Sequence, residues 1–384
     1  MVFFTNRDIN LLTAHTTLHK LAWGGYGVFS GVFLLRVGLS LPEVFLTFAV
    51  IYVMRLVFRP LVPWTVGMIG IRNTLVLGAV LFALQFPVLA LIQGVGVALL
   101  LFCAITAIAT VFYWTCYHTV FAALGDSDRR GSQVGARQAF GATAAIAGPA
   151  LGGVMLATLG PWAAFGTAAL IELVAVLPLL RIAEFGNIGT TKRGGYAAAR
   201  IGALLFATDG WITASSVLAW NIIMFRALDA RFDALGWVLA AAALAGAIGG
   251  MLLGYVIDLG HARRVTWLNA SILSAILIVK SVCGEDPAVV IGVAVGSMLL
   301  GGLYVPSLMT AFYNEAKASP SPLQFQFVSE GGWDVGGCLV CIVTAALCWL
   351  GIPLQAAIAL ALPAVLVQAR ILAESYAVTA RSTR

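Results

Sequence analysis

Arg55 and Arg59 stand four residues apart in an otherwise apolar stretch, so on a helix they share one face. A guanidinium stays charged and can grip an oxyanion through two hydrogen bonds, which makes the pair an anion or carboxylate clamp. The alternative is a structural tie to backbone carbonyls or to an acid on another helix. Asp209, Glu330 and Asp334 supply acids in the second half of the chain, the last two again four residues apart. Burial disfavours the charged form of a carboxylate, so such a group can take up a proton from one side of a barrier and release it to the other. These three acids are the candidate proton carriers, with Arg55 as their natural ion-pair partner. Trp333 sits between two of them in Glu330-Gly331-Gly332-Trp333-Asp334. A further run, Tyr113-Trp114-Thr115-Cys116-Tyr117-His118-Thr119-Val120-Phe121, joins aromatic rings to an imidazole. It suits a substrate path contacted by Tyr113, Trp114 and His118, and equally an aromatic belt at a membrane surface.

The remaining ionisable groups have plainer readings. Glu172 is expected to pack against a polar neighbour, and Lys20 to reach back to the aqueous surface. His15 and His19 have i, i+4 spacing but no third ligand nearby, so no metal site is expected. Six cysteines lie in or beside apolar stretches without zinc spacing and read as small packing residues. No G-x-x-x-x-G-K-[ST] loop is present, which argues against ATP hydrolysis; neither a cofactor nor enzymatic activity is expected.

The elements that hold these residues must cross a bilayer. Of 384 residues only 10% are charged and 61% are hydrophobic, against about 25% charged in soluble chains. The mean hydropathy is +0.99. Composition this apolar excludes a water-soluble globule, and 41 Gly among Ala, Leu, Val and Ile favour close-packed helices over a barrel. The net charge of +6 sits in loops, so nucleic acid is not an expected partner. An all-α polytopic protein of about twelve spans follows, at roughly 16–36, 44–66, 74–94, 96–122, 136–157, 162–180, 201–225, 235–257, 265–283, 287–312, 323–349 and 354–372. Alternate loops hold 15 Lys and Arg against 4, which puts both termini in the cytoplasm. No removable signal peptide is evident. At an offset of 191 residues, Tyr113, Thr119 and Phe121 map onto Tyr304, Thr310 and Phe312, Arg72 onto Arg263, Gly141 onto Gly332, and Leu159-Gly160 onto Leu350-Gly351. Matches at four places without a gap favour a duplicated six-helix unit. The expected organisation is a lobe at 1–181, a cytoplasmic linker at 182–200 and a second lobe at 201–384.

Gly148-Pro149-Ala150-Leu151-Gly152-Gly153 resembles the G-P-x-x-G-G motif of the major facilitator superfamily, in which Pro and small residues bend a helix and admit its partner. Gly254-Tyr-Val-Ile-Asp258-Leu-Gly260-His-Ala-Arg263-Arg264 resembles that superfamily's G-x-x-x-D-R-x-G-R-R loop, with one extra residue before the arginines. In the first half Gly70 and Arg72 survive, but Gly67 stands where the Asp is expected. The resemblance implies two pseudo-symmetric six-helix lobes around a central site. It also implies a conformational latch at Gly254, Asp258, Arg263, Arg264 and Arg72, and a helix-bending motif at Gly148, Pro149, Gly152 and Gly153. The function expected is secondary active transport by alternating access, coupled to protons and directed to efflux, of a small organic solute with an anionic group. Exporting lipophilic or cationic compounds is the alternative, and a non-transporting sensor or scaffold a third. The remaining expectations are residence in the cell (inner) membrane, with small-molecule substrate, protons and lipid bilayer as partners, and a monomer.

Overall fold

The computed structural model describes residues 6–124, 130–184, 199–257, 262–301, 308–309, 312, 315–316, 319 and 321–382. Its helices are α1 (Arg7–Tyr26), α2 (Ser30–Arg36), α3 (Leu41–Phe58), α4 (Leu61–Ile69), α5 (Ile71–Ala90), α6 (Val97–Leu124), α7 (Arg130–Thr158) and α8 (Gly160–Leu180). The second half holds α9 (Arg200–Thr213), α10 (Ala219–Ala227), α11 (Phe232–Ile257), α12 (Ala262–Val282), α13 (Pro287–Gly301), α14 (Pro322–Trp349), α15 (Gln355–Ala359) and α16 (Ala361–Ser382). Among the described residues nine segments are long and apolar enough to cross a membrane, and two shorter apolar helices, Thr266–Val282 and Pro287–Gly301, accompany them.

Local chemistry sets several boundaries. Asn6 caps α1, its side-chain oxygen accepting from the Ile9 amide at 3.1 Å. Ser40 and Glu43 cap α3 reciprocally, and Pro42 occupies the first turn, where its missing N–H costs nothing. The stretch expected as one span at 44–66 is divided, because Pro60 follows Arg59 and cannot supply the next helical hydrogen bond. The first span is also interrupted, by a short 3₁₀ turn at Gly27–Phe29. A π-helical turn at Ala214–Leu218 separates α9 from α10.

Packing repeats across the two halves. In the first, α1 lies on α7 and α8, and α5 on α6 and α8; in the second, α9 lies on α14 and α16, and α12 on α16. Among the described residues the halves are joined mainly by α3 on α14 and α7 on α11, with lesser contacts of α6 on α14 and α2 on α10. The proposed sequence repeat has a backbone counterpart. Gly160 and Gly351, which follow α7 and α14, both adopt positive φ, 82° and 74°. Glycine alone takes that conformation without a steric penalty.

The Gly148-to-Gly153 motif meets neighbours on two faces. A Cβ on Gly152 would collide with the Gly25 carbonyl of α1, and one on Gly153 with the Phe232 carbonyl of α11. α7 continues without interruption through Pro149, so close approach on both faces is the observed role of these residues.

Candidate functional site: a cavity between the halves

A cavity of about 460 Å³ lies where α1, α3 and α6 face α9, α10 and α14. Its wall carries Arg55, Asp209, Glu330 and His118 among the rings of Trp23, Tyr52, Phe82, Trp114 and Trp333. Thr106, Thr110, Thr213 and Asn221 add smaller polar groups.

Arg55, from α3, is the hub. Its Nε approaches Asp334 Oδ1 at 2.7 Å, and its Nη2 lies 3.6 Å from Glu330 Oε2. The 2.7 Å contact is an ion pair without hydrogen-bond alignment, since both atoms lack a properly directed partner. The guanidinium lies 5.1 Å from the Trp333 ring centre and 5.6 Å from that of Tyr52, within cation–π range. Arg59 donates through Nη2 to Asp334 Oδ2, so one carboxylate receives two guanidinium groups one helical turn apart. Asp334 is fully buried, and Arg55, Arg59 and Glu330 nearly so. At such depth a lone charge is expensive, and mutual pairing offsets that desolvation.

The acids differ in setting. Asp209 is half-buried and accepts from Trp333 Nε1 at 3.1 Å. Glu330 lies 3.9 Å from His118 Nε2 across the cavity. Asp334 is held behind the wall by its two arginines. Among the described residues, and with His118 neutral, three carboxylates face two guanidiniums, Arg55 and Arg59.

Arg55, Trp114, His118, Trp333, Asp209 and Glu330 are thus gathered on the wall. Arg59, expected to touch substrate, is off it and faces Asp334. Tyr113 is off it as well, wholly buried, with its hydroxyl 2.9 Å from His15 Nε2. The run around Tyr113 is helical, so neighbouring residues point about 100° apart and only Trp114 and His118, four apart, share the cavity face. Tyr52, Trp23, Phe82 and Asn221 were not singled out by the sequence. Asn221, a lone amide in an apolar stretch, carried a usable signal; the rings did not, because aromatic residues are ordinary core material.

Arg72 donates to the Ile182 carbonyl at 3.1 Å and to Glu184 Oε1 at 2.7 Å, tying the start of α5 to the end of α8. Gly254 falls in α11, Arg263 and Arg264 fall in α12, and Asp258 lies outside the described residues.

A helical membrane bundle with a polar, charge-paired cavity between two similar halves is the architecture of a carrier. The chain belongs to the Major Facilitator Superfamily, whose family model matches residues 16–339. In fold it is similar to the nucleoside transporter NupG, solved as a point mutant, with a TM-score of 0.67, 13% identity and coverage of 96% of this chain and 100% of that one. It is also similar to the POT family transporter PepTSo, with a TM-score of 0.68, 12% identity and coverage of 97% and 98%. No curated protein sequence matches it.

Proposed function

We propose that this protein is a proton-coupled secondary transporter that exports a small organic solute, alternately exposing the Arg55 cavity to each side of the membrane. The observation that supports this reading best is the charge inventory among the described residues, three buried or half-buried acids against two arginines in one cavity and its wall. A proton on Glu330 or Asp209 neutralises the set. Water or solute entering the cavity changes the solvation of that carboxyl and so releases the proton.

Two solute charges fit this chemistry with opposite coupling. A solute anion needs Arg55, which is free to receive it only when a carboxyl beside it is protonated, so anion and proton travel together. A solute cation competes with the proton for Glu330 or Asp209, so the two travel in opposite directions. Export driven by an inward proton gradient requires the second arrangement, and the excess of carboxylate over guanidinium among the described residues favours it. The ring-lined wall suits a flat or lipophilic body in either case. The side holding the start of α1 is assigned to the cytoplasm of the cell membrane, with lobes at 1–181 and 201–384 acting as a monomer.

Reconstituted protein, offered anionic, cationic and neutral aromatic solutes with and without a pH gradient, tests this directly. Gradient-stimulated movement of cations outweighing that of anions is expected. Transport indifferent to the gradient would refute the coupling.

A further inference from the structure

A second polar cluster lies in the first half, away from the acids of the second. His15 and His19 of α1 meet Tyr113 of α6 and Glu172 of α8, all within 2% of complete burial. His15 is satisfied on both ring nitrogens. Its Nδ1 lies 2.7 Å from the Ala175 carbonyl, which can only accept, so that nitrogen carries the hydrogen. Its Nε2 is then left to accept from the Tyr113 hydroxyl at 2.9 Å. That assignment makes His15 a neutral, fixed tautomer.

His19 is different. Its Nδ1 lies 2.8 Å from Glu172 Oε1, while its Nε2 and the second oxygen of Glu172 are buried without a hydrogen-bond partner. Around the ring stand Tyr113, stacked at 4.3 Å, Phe82 edge-on at 5.1 Å and Trp114 edge-on at 5.8 Å. The face of the stacked Tyr113 ring attracts an imidazolium, and the carboxylate neutralises it. Without the proton, the pair carries a net negative charge in the buried interior.

We propose that His19 and Glu172 form a second proton-binding site, separated from the cavity by Phe82 and Trp114, both of which line that cavity. Movement of either ring admits water to His19 Nε2 and lets the proton exchange. Among the described residues, the titratable or charged groups around His19 are His15 and Lys20 on its own helix, Tyr113 and Tyr117 on α6, with His118 beyond Trp114, and Glu172 on α8. α5 contributes no such group, and α7 meets α1 through Gly148 and Gly152 and beneath Lys20 at Gly141. The site has no residue in common with the Arg55 cluster, and its existence does not depend on the identity of the solute.

Nitrogen-15 NMR of histidine-labelled protein in detergent, with each signal assigned by single His→Gln variants, tests it. Across about pH 5 to pH 8, where imidazoles change charge, His19 is expected to titrate while His15 keeps its Nδ1–H neutral form throughout. Glu172→Gln, which keeps a hydrogen-bond acceptor, should alter the His19 titration and leave that of His118 unchanged. A His19 signal fixed in one protonation state across the range overturns the proposal, as does a titration indifferent to Glu172→Gln in folded protein. Neither result bears on coupling through Glu330 or Asp209, which is read by transport.

Discussion

Arg59, which caps the end of α3, and Asp334 of α14 form an ion pair in which both side chains are almost wholly buried, yet neither lines the cavity beside them. Asp334 also receives Arg55, which does line it. The cavity wall therefore rests on a charged strut between the halves, and movement of α3 against α14 must break it or carry it along.

Removing Arg59 leaves Asp334 with Arg55, already shared with Glu330, as its remaining counter-charge among the described residues. Arg59→Ala is expected to destabilise the protein by about 3–5 kcal/mol, the usual result of breaking a buried pair. The double variant Arg59→Met with Asp334→Leu should recover much of that loss, because an apolar pair avoids desolvation altogether. Thermal unfolding in detergent measures both, and a double variant no more stable than Arg59→Ala would show that the pair does more than balance charge.

Arg55→Ala should abolish transport while inserting normally, and Arg55→Lys should restore only part of it. Lysine keeps the charge but not the planar fork that meets Asp334 and Glu330 from one group. Initial rates in proteoliposomes at matched protein density provide the comparison; wild-type rates for Arg55→Ala would remove this side chain from the mechanism.

Helix contacts between α9 and α14 are close enough to be probed by single methyl groups. A Cβ on Gly336 meets the Ala207 carbonyl, so Gly336→Val is expected to cost about 1–3 kcal/mol by overpacking. Gly24 has open space at the same position, and Gly24→Ala should be neutral or slightly stabilising, since alanine is the better helix former. Equal thermal shifts for the two variants would contradict the packing described.

The tie from Arg72 to Glu184 is of another kind, because Glu184 is 66% exposed in its side chain. Solvent screening limits such a pair to about 1 kcal/mol at most. Arg72→Ala should therefore leave stability nearly unchanged and instead speed exchange between the two access states, as read by single-molecule distance distributions between labelled lobes. A large stability loss with unaltered exchange would make it a structural brace and not a latch.

Much of the bundle was legible in the sequence, because apolar length marks a span without reference to its neighbours. The ionisable residues inside those spans were legible for the same reason, each being conspicuous against an apolar background. Their partners were not. Spacing places Arg55 and Arg59 on one face but cannot say that Asp334 stands opposite both, nor that His19 rather than some other polar group faces Glu172. Tyr113 lies off the cavity because a helix turns about 100° per residue and the face it presents is decided by packing against α1. The break at Arg59-Pro60 was readable from proline chemistry, and was obscured by apolar residues continuing on both sides of it.

Proton movement itself is the most direct test of coupling. Wild-type protein and Glu330→Gln, Asp209→Asn and doubly substituted variants are reconstituted into vesicles with a pH-sensitive dye trapped inside, and a transported solute is added outside at equal pH. The wild type should change the internal pH as the solute moves, and at least one single variant should still exchange labelled solute while moving no protons. Solute movement without any pH change in the wild type, or an undiminished pH change in the double variant, would contradict the account.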